Sequence, residues 1–116
     1  MDHYYAFFDP KPGVRDLELA EAIAAYMDYL KSNGLIEGWT LTRRKFGFGP
    51  PGLGEFHLDM LTRDLSQLDG AFRHVARRAE PAESVHFAVN SKAVNLTFAL
   101  YRDFPDPLRH RGEEKF

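Results

Sequence analysis

The sequence predicts a single α+β domain with the element order β-α-β-β-α-β. Three observations lead to this prediction. Apolar and polar residues alternate in runs typical of strands, apolar residues recur at spacings of three and four in two longer segments typical of helices, and Gly/Pro-rich stretches separate the elements. With 116 residues, of which 44% are hydrophobic, the chain has room for one core and no second domain.

The chain begins with a predicted strand and a predicted helix. "HYYAFFD", residues 3–9, is rich in strand-forming aromatic residues and ends at a proline. Residues 17–33 then carry apolar side chains at helical spacing. Asp16 is the predicted N-cap of this helix, and Gly34 is the predicted stop.

A hairpin and a second helix follow. Residues 37–47 form a β-branched and aromatic run, and residues 55–62, "EFHLDMLT", alternate with a period of two. "GFGPPGLG" joins them as a long turn. Asp64 and Gln67 resemble a capping box at the start of a helix that runs to about residue 78.

The last third of the chain contains a short ambiguous segment, a strand and a polar tail. "PAESVHFAVNSKA" suits a helix or a short strand; because Pro81 fits a first helical turn, we predict a helix over residues 82–91. Residues 94–104 alternate and form the fourth strand. The domain therefore spans residues 1–104, and residues 105–116 form a charged, proline-containing tail.

This order is the split βαβ pattern of ferredoxin-like α+β folds, with an extra short helix before the last strand. It predicts a four-stranded antiparallel sheet of strand order 4-1-3-2, with the helices on one face. The other face is open and carries every second residue of the third strand: Glu55, His57 and Asp59.

The open face needs a cover. The first strand has large aromatic residues on both faces, so whichever face is open exposes two rings, and each forgoes about 1.5 to 3 kcal/mol relative to full burial. A second copy of the chain is the simplest cover. We therefore predict a homodimer that forms through the open sheet face.

Four segments, "DHYYAFFDPKPGV", "RRKFGFGPP", "GEFH" and "NLTFALYRDFPDPLR", resemble a family of uncharacterised bacterial proteins. The element order and size resemble the dimeric α+β barrel superfamily, in which two ferredoxin-like subunits pack sheet to sheet. That superfamily includes cofactor-independent monooxygenases, haem-handling proteins and stress-responsive dimers. The resemblance therefore implies the fold and the dimer, and it leaves the reaction open.

His57 is the candidate general base, with Glu55 and Asp59 as its carboxylate neighbours on the same strand face. An adjacent carboxylate fixes the tautomer of an imidazole and raises its pKa. The antiparallel order is expected to bring His3 opposite Asp59 and Tyr5 opposite His57, which makes His3 and Tyr5 candidate ligand contacts. The alternative is a row of polar residues that face water inside the dimer.

Two further residues complete the predicted ligand site. Arg44 shares a strand face with Thr42 and could pair with a carboxylate or phosphate of a ligand, or it could simply protect an edge strand. Tyr101 lines the pocket or closes the dimer.

His86 and Asn90 are four residues apart and share a face if their segment is helical. Haem-handling members of the superfamily use a histidine from a helix, but we interpret His86 as structural.

Several classes of function are disfavoured. A net charge of -2 provides no field for nucleic acid or membrane, and the absence of cysteine excludes disulfides and thiol chemistry. "GFGPPGLG" leads into a strand and so does not resemble a phosphate loop. His3, His57 and the carboxylates are suitable metal ligands, yet no fixed-spacing motif supports a metal, and we predict no metal or cofactor.

The start of the chain, "MDHYYAFFDPK", lacks a basic leader and a long apolar run, which predicts a cytoplasmic protein. The functional prediction is a homodimer that binds a small organic molecule in the open-face cavity. The chemistry would be cofactor-independent oxidation or proton transfer. The alternative is a non-catalytic regulatory or stress-related dimer whose cavity holds water.

Overall fold

The structure, a computed structural model, describes residues 1–112 of the chain. It contains one antiparallel sheet of order β2-β3-β1-β4, which confirms the predicted order and the ferredoxin-like arrangement. Residues 113–116, the end of the predicted tail, lie outside the described residues. The elements are β1 (Asp2–Pro10), α1 (Asp16–Ser32), β2 (Gly38–Arg43), β3 (Phe56–Thr62), α2 (Leu65–Ala76), α3 (Ala82–Asn90) and β4 (Ala93–Arg102).

The core lies between one sheet face and the helices. Ala6 and Phe8 of β1 and Phe56 and Leu58 of β3 are buried, as the period-two alternation predicts. The helix that contributes most to this core is α1, whose buried side chains recur at spacings of three and four: Leu19, Ile23, Met27 and Leu30.

Asp16 is not the N-cap of α1, as the sequence predicted, but its first helical residue. Arg15 occupies the cap position and makes no side-chain cap hydrogen bond. The Asp16 carboxylate accepts a hydrogen bond from the Leu17 N–H at 2.7 Å and forms an ion pair with Arg43 at 3.0 Å. A carboxylate in the first turn is favoured by the helix dipole, so the residue still stabilises the start of α1.

The cap of α2 confirms the predicted pairing. Asp64 Oδ1 accepts a hydrogen bond from the Gln67 N–H at 2.9 Å, and Gln67 Oε1 accepts one from the Arg63 N–H at 2.8 Å. The helix ends at residue 76 rather than 78, and β2 is shorter than the predicted 37–47. The ambiguous segment is helical, as predicted, and forms α3.

The edge strand β4 departs from the expectation of a fully covered helix side. Its register pairs Leu100 with Tyr4 and Phe98 with Ala6, so both face the helices. Yet Phe98 is 56% exposed and Leu100 is 51% exposed, because the helices do not cover this edge of the sheet. The departure leaves an apolar surface along β4 on the helix side.

A β-bulge interrupts the pairing of β1 and β4. The register shifts between Phe7 and Asp9, and opposite it Asn95 adopts a positive φ of 55°. The Asn95 amide donates a hydrogen bond to the Asp9 carboxylate at 3.0 Å. This hydrogen bond from Asn95 stabilises the bulge.

Candidate functional site

The open sheet face carries a group of five polar and aromatic residues, here called the open-face cluster: His3, Tyr5, His57, Asp59 and Tyr101. All five were predicted site residues, and the structure brings them together from β1, β3 and β4. The Tyr5 ring centroid lies 4.7 Å from that of His57 and 5.2 Å from that of Tyr101.

The predicted cross-strand register of this cluster is wrong by two residues. Tyr5, not His3, pairs with Asp59, and Phe7, not Tyr5, pairs with His57. A shift of two preserves the face of every side chain, so the alternation of the sequence does not distinguish the two registers. The predicted neighbours still meet, because they contact each other along diagonals.

His3 lies between two carboxylates. Its Nδ1 is 3.1 Å from Asp59 Oδ2, and its Nε2 is 2.6 Å from Asp103 Oδ1. The hydrogen bond to Asp103, together with Asp59, raises the pKa of the His3 imidazole above its ordinary value, although burial opposes the shift. Reciprocally, the hydrogen bond with His3 lowers the pKa of Asp103. Sequence reasoning missed Asp103. The only indication in the sequence was its position next to β4, the strand that pairs with β1.

His57 is packed between rings. It stacks on Phe7 with centroids 4.6 Å apart and an interplanar angle of 9°, and it meets the Tyr5 ring edge-on. Its Nδ1 is 3.4 Å from the Thr42 hydroxyl oxygen. Its Nε2 is buried and has no hydrogen-bond partner among residues 1–112, which is uncommon for a buried polar atom.

Glu55 is held away from this cluster. Its carboxylate pairs with Arg43 Nε at 3.1 Å, and its backbone N–H donates to Asp9 Oδ1 at 2.8 Å. Glu55 precedes β3 rather than lying within it, so the strand alternation does not direct its side chain toward His57. The expected triad of Glu55, His57 and Asp59 is therefore incomplete in the structure.

Arg44 also differs from its predicted arrangement. Its Nη2 donates to the Leu53 carbonyl at 2.6 Å, within the loop that joins β2 to β3. With Thr42, Phe48 and His57 it lines a shallow depression of about 210 Å³. The guanidinium is thus engaged in closing the loop.

The larger cavity lies on the opposite side of the sheet. This helix-side cavity of about 330 Å³ extends between the sheet and the three helices, and no Asp, Glu, Lys or Arg side chain is among its lining residues. Its floor includes the buried Ile23 and Met27 of α1. Polar groups are contributed by Tyr4, Tyr26, His86 and Asn90.

Sequence reasoning assigned the lining of this cavity to core and did not predict an opening. The one signal was that His86 and Asn90 share a face if their segment is helical; the segment is helical, and both residues line the cavity. His86 meets the Tyr26 ring edge-on at 5.5 Å. The cavity exists because the helices leave β4 partly uncovered. The periodicity of apolar residues in the sequence does not show such a gap.

Residues 1–112 contain neither a cluster of metal ligands nor a helix that could cross a membrane. Groups of three or more His, Asp or Glu side chains placed to hold a metal ion are absent there. None of the helices in that range has the length and apolar character needed to cross a bilayer.

Comparison with known proteins places the chain in a family. The model of a family described as "Family of unknown function (DUF6614)" matches residues 1–116. The chain belongs to this family. The match confirms the predicted resemblance to a family without an assigned function. No curated protein matches this DUF6614 chain.

Two solved structures share the fold. The crystal structure of At3g17210 from Arabidopsis thaliana superimposes with a TM-score of 0.73 at 8% identity, covering 93% of this chain and 100% of the other. A dimeric protein of unknown function and ferredoxin-like fold from Bacteroides fragilis superimposes with a TM-score of 0.54 at 9% identity, covering 88% and 95%. At such identities the likeness is one of fold, and it confirms the ferredoxin-like prediction.

Proposed function

We propose that the protein is a homodimer that binds one small organic molecule per subunit in the helix-side cavity. The observation that carries this proposal is the cavity itself. Its volume of about 330 Å³ reaches the range of roughly 300 to 1,000 Å³ that is typical of ligand sites. Its lining is mainly apolar with a few convergent polar groups, which is the usual composition of such sites.

A ligand would restore contacts that the empty cavity forgoes. Protein interiors are close-packed, and side chains that border a void lose dispersion contacts on one side. Phe72 is 48% exposed and Phe98 is 56% exposed at the uncovered margin of the cavity. An apolar molecule there would cover both rings and extend toward Ile23 and Met27, so its binding would be driven by apolar burial.

The dimer in this proposal forms through the open sheet face. Support comes from the Tyr5, Phe7 and His57 rings on that face and from the description of the Bacteroides fragilis neighbour as dimeric. A second sheet packed on this face would cover the rings, as the sequence predicts. Ligand and partner would then occupy opposite faces of one sheet.

The experiment that tests ligand binding uses naphthalene as an apolar probe. Isothermal titration calorimetry should show binding to the full chain, and the melting temperature should rise, because a ligand at tenfold excess over its Kd stabilises by about 1.4 kcal/mol. Ala71→Leu, in the buried wall of α2, should weaken binding at least tenfold by filling the cavity.

A second filling variant and a matched control accompany that measurement. Ala76→Leu fills the cavity from an exposed helix position and so remains folded even if Ala71→Leu does not. Ala25→Leu, on the exposed side of α1, makes the same chemical change outside the cavity and should leave binding within twofold. Undiminished naphthalene binding in both filling variants would contradict the proposed site.

The open-face cluster supports a second candidate function, which is proton transfer inside the dimer. The specific observation is the buried Nε2 of His57, which lacks a protein partner among residues 1–112 and so is available to a substrate proton. Asp59 would assist through His3, with Tyr5 and Tyr101 as ligand contacts. If the two sheets pack without a gap, the open face can only form the dimer contact. The protein is then the non-catalytic regulatory or stress-related dimer that the sequence left as the alternative.

A further inference from the structure

Two tyrosines line the helix-side cavity from opposite walls. Tyr4 belongs to β1 and Tyr26 to α1. Neither hydroxyl has a hydrogen-bond partner among residues 1–112. Tyr29, one turn from Tyr26 and also partly buried, shows the usual alternative, because its hydroxyl oxygen lies 2.6 Å from His74 Nε2.

The two unpaired hydroxyls are hydrogen-bond donors at neutral pH. Burial raises the pKa of Tyr26 to about 12, with a smaller contribution from nearby Tyr4. Burial also raises the pKa of Tyr4. Both groups therefore remain protonated phenols, and both residues line the same cavity.

The remainder of the lining disfavours a charged ligand. No Asp, Glu, Lys or Arg side chain borders the cavity, so a buried carboxylate or ammonium would lose its hydration without meeting a permanently charged partner. A neutral acceptor such as a carbonyl oxygen avoids this penalty and can accept hydrogen bonds from both phenols, because it has two lone pairs.

Aromatic rings shape the other end of the site. The Tyr4 ring stacks on Phe98 with centroids 5.6 Å apart and an interplanar angle of 3°, and it meets Phe72 edge-on at 5.2 Å. Such rings present flat apolar surfaces, which suit an aromatic group of the ligand.

We infer that the helix-side cavity selects neutral aromatic ketones or esters, with the carbonyl oxygen accepting hydrogen bonds from Tyr4 and Tyr26. This inference rests on the proposed function. It adds the ligand class and names the two side chains that determine specificity. A site built to donate hydrogen bonds discriminates against a ligand of the same shape without the acceptor, because that ligand covers the donors and leaves them unpaired.

Three probes of matched shape test the inference by calorimetry on the full chain at neutral pH. 2-Acetylnaphthalene carries the carbonyl, 2-isopropenylnaphthalene has the same shape without the oxygen, and 2-naphthoate replaces the neutral acceptor with an anion. The acetyl probe should bind at least tenfold more tightly than the isopropenyl probe. The carboxylate should bind more weakly than either.

Variants then assign the effect to the two phenols. Tyr4→Phe and Tyr26→Phe each retain the ring and should reduce the preference for the acetyl probe severalfold, while binding of the isopropenyl probe stays within twofold. Tyr29→Phe is the matched control, because Tyr29 does not line the cavity and its hydroxyl contacts His74; it should change neither affinity. Melting temperatures check that each variant is folded.

The outcomes separate the inference from the proposed function. If none of the three probes nor naphthalene binds, the proposed function fails. If the isopropenyl probe binds as tightly as the acetyl probe in the wild type, the inference is overturned while the cavity remains a ligand site. A preference for the carbonyl that persists in the Tyr4→Phe/Tyr26→Phe double variant also overturns it.

Discussion

At the scale of single residues, His3 connects the start of β1 with β3 and with the residue that follows β4. Both of its ring nitrogens face a carboxylate, Asp59 on one side and Asp103 on the other. Only the imidazolium form has two N–H donors, so this arrangement favours the protonated ring. Asp103 also pairs with the N-terminal ammonium of Met1 at 3.5 Å. The start of β1 and the end of β4 are thus held together by charge.

We therefore predict that stability decreases as pH rises through the pKa of His3. The folded-state pKa lies above the ordinary value of 6.5, so the stabilisation is complete below that value and is lost as pH rises through the raised pKa. Thermal melting across this window should show the decrease in the wild type and much less of it in His3→Gln. His110→Gln, on the exposed tail, serves as the control.

An NMR titration of the imidazole gives the direct readout. Asp103→Asn should lower the pKa of His3, because its hydrogen bond with Asp103 is the largest cause of the shift. A His3 ring that titrates at or below the ordinary value in the wild type would refute this account.

At the scale of elements, Gly54 sets how closely the start of β3 approaches β1. A Cβ atom at this position would lie 2.3 Å from the Phe8 backbone nitrogen and 2.6 Å from its Cα. Phe8 is in the middle of the buried core, so its backbone cannot move aside without disturbing that core. The close approach brings β1 and β3 together beside the open-face cluster.

Two alanine substitutions test this packing with opposite expected signs. Gly54→Ala should lower the free energy of unfolding by about 1 to 3 kcal/mol, because the added methyl group overpacks the strand contact. Gly70→Ala, inside α2 with nothing within 4 Å of the added Cβ, should raise it by about 0.5 to 1 kcal/mol. Urea unfolding measures both, and a Gly54→Ala protein as stable as the wild type would contradict the predicted clash.

At the scale of the whole molecule, the sheet separates two surfaces of different composition. One side holds the core and the apolar cavity, and the other holds the open-face cluster. The radius of gyration, 15.8 Å, exceeds the roughly 13 Å expected for a compact domain of this length, so the described chain is elongated. A second copy on the open face would produce a more compact assembly.

Sedimentation velocity tests the dimer. The wild type should sediment as a dimer at micromolar concentration, and Ala99→Arg should shift it toward monomer. Ala99 pairs with Tyr5 on the open face, where the long charged side chain would obstruct a second sheet and lose its hydration on dimer formation. Ala25→Arg, on the exposed side of α1, should remain dimeric. A wild type that sediments only as monomer would remove the dimer from the proposal.

The sequence by itself determined which elements form and which face each side chain takes. Periods of two and of about 3.6 report the direction of side chains along one element, and the split βαβ order then implies the strand order. That is why the five residues of the open-face cluster could be named as neighbours in advance.

Only the tertiary structure decided the register, the partner of Glu55 and the cavity. A register shift of two leaves every face unchanged, so the alternation carries no signal for it. Glu55 lies just before its strand and pairs with Arg43 at the end of the neighbouring strand, so the strand alternation does not predict its partner. The helix-side cavity arises because three helices leave β4 partly uncovered, and such a gap is a property of packed volumes that no single element encodes.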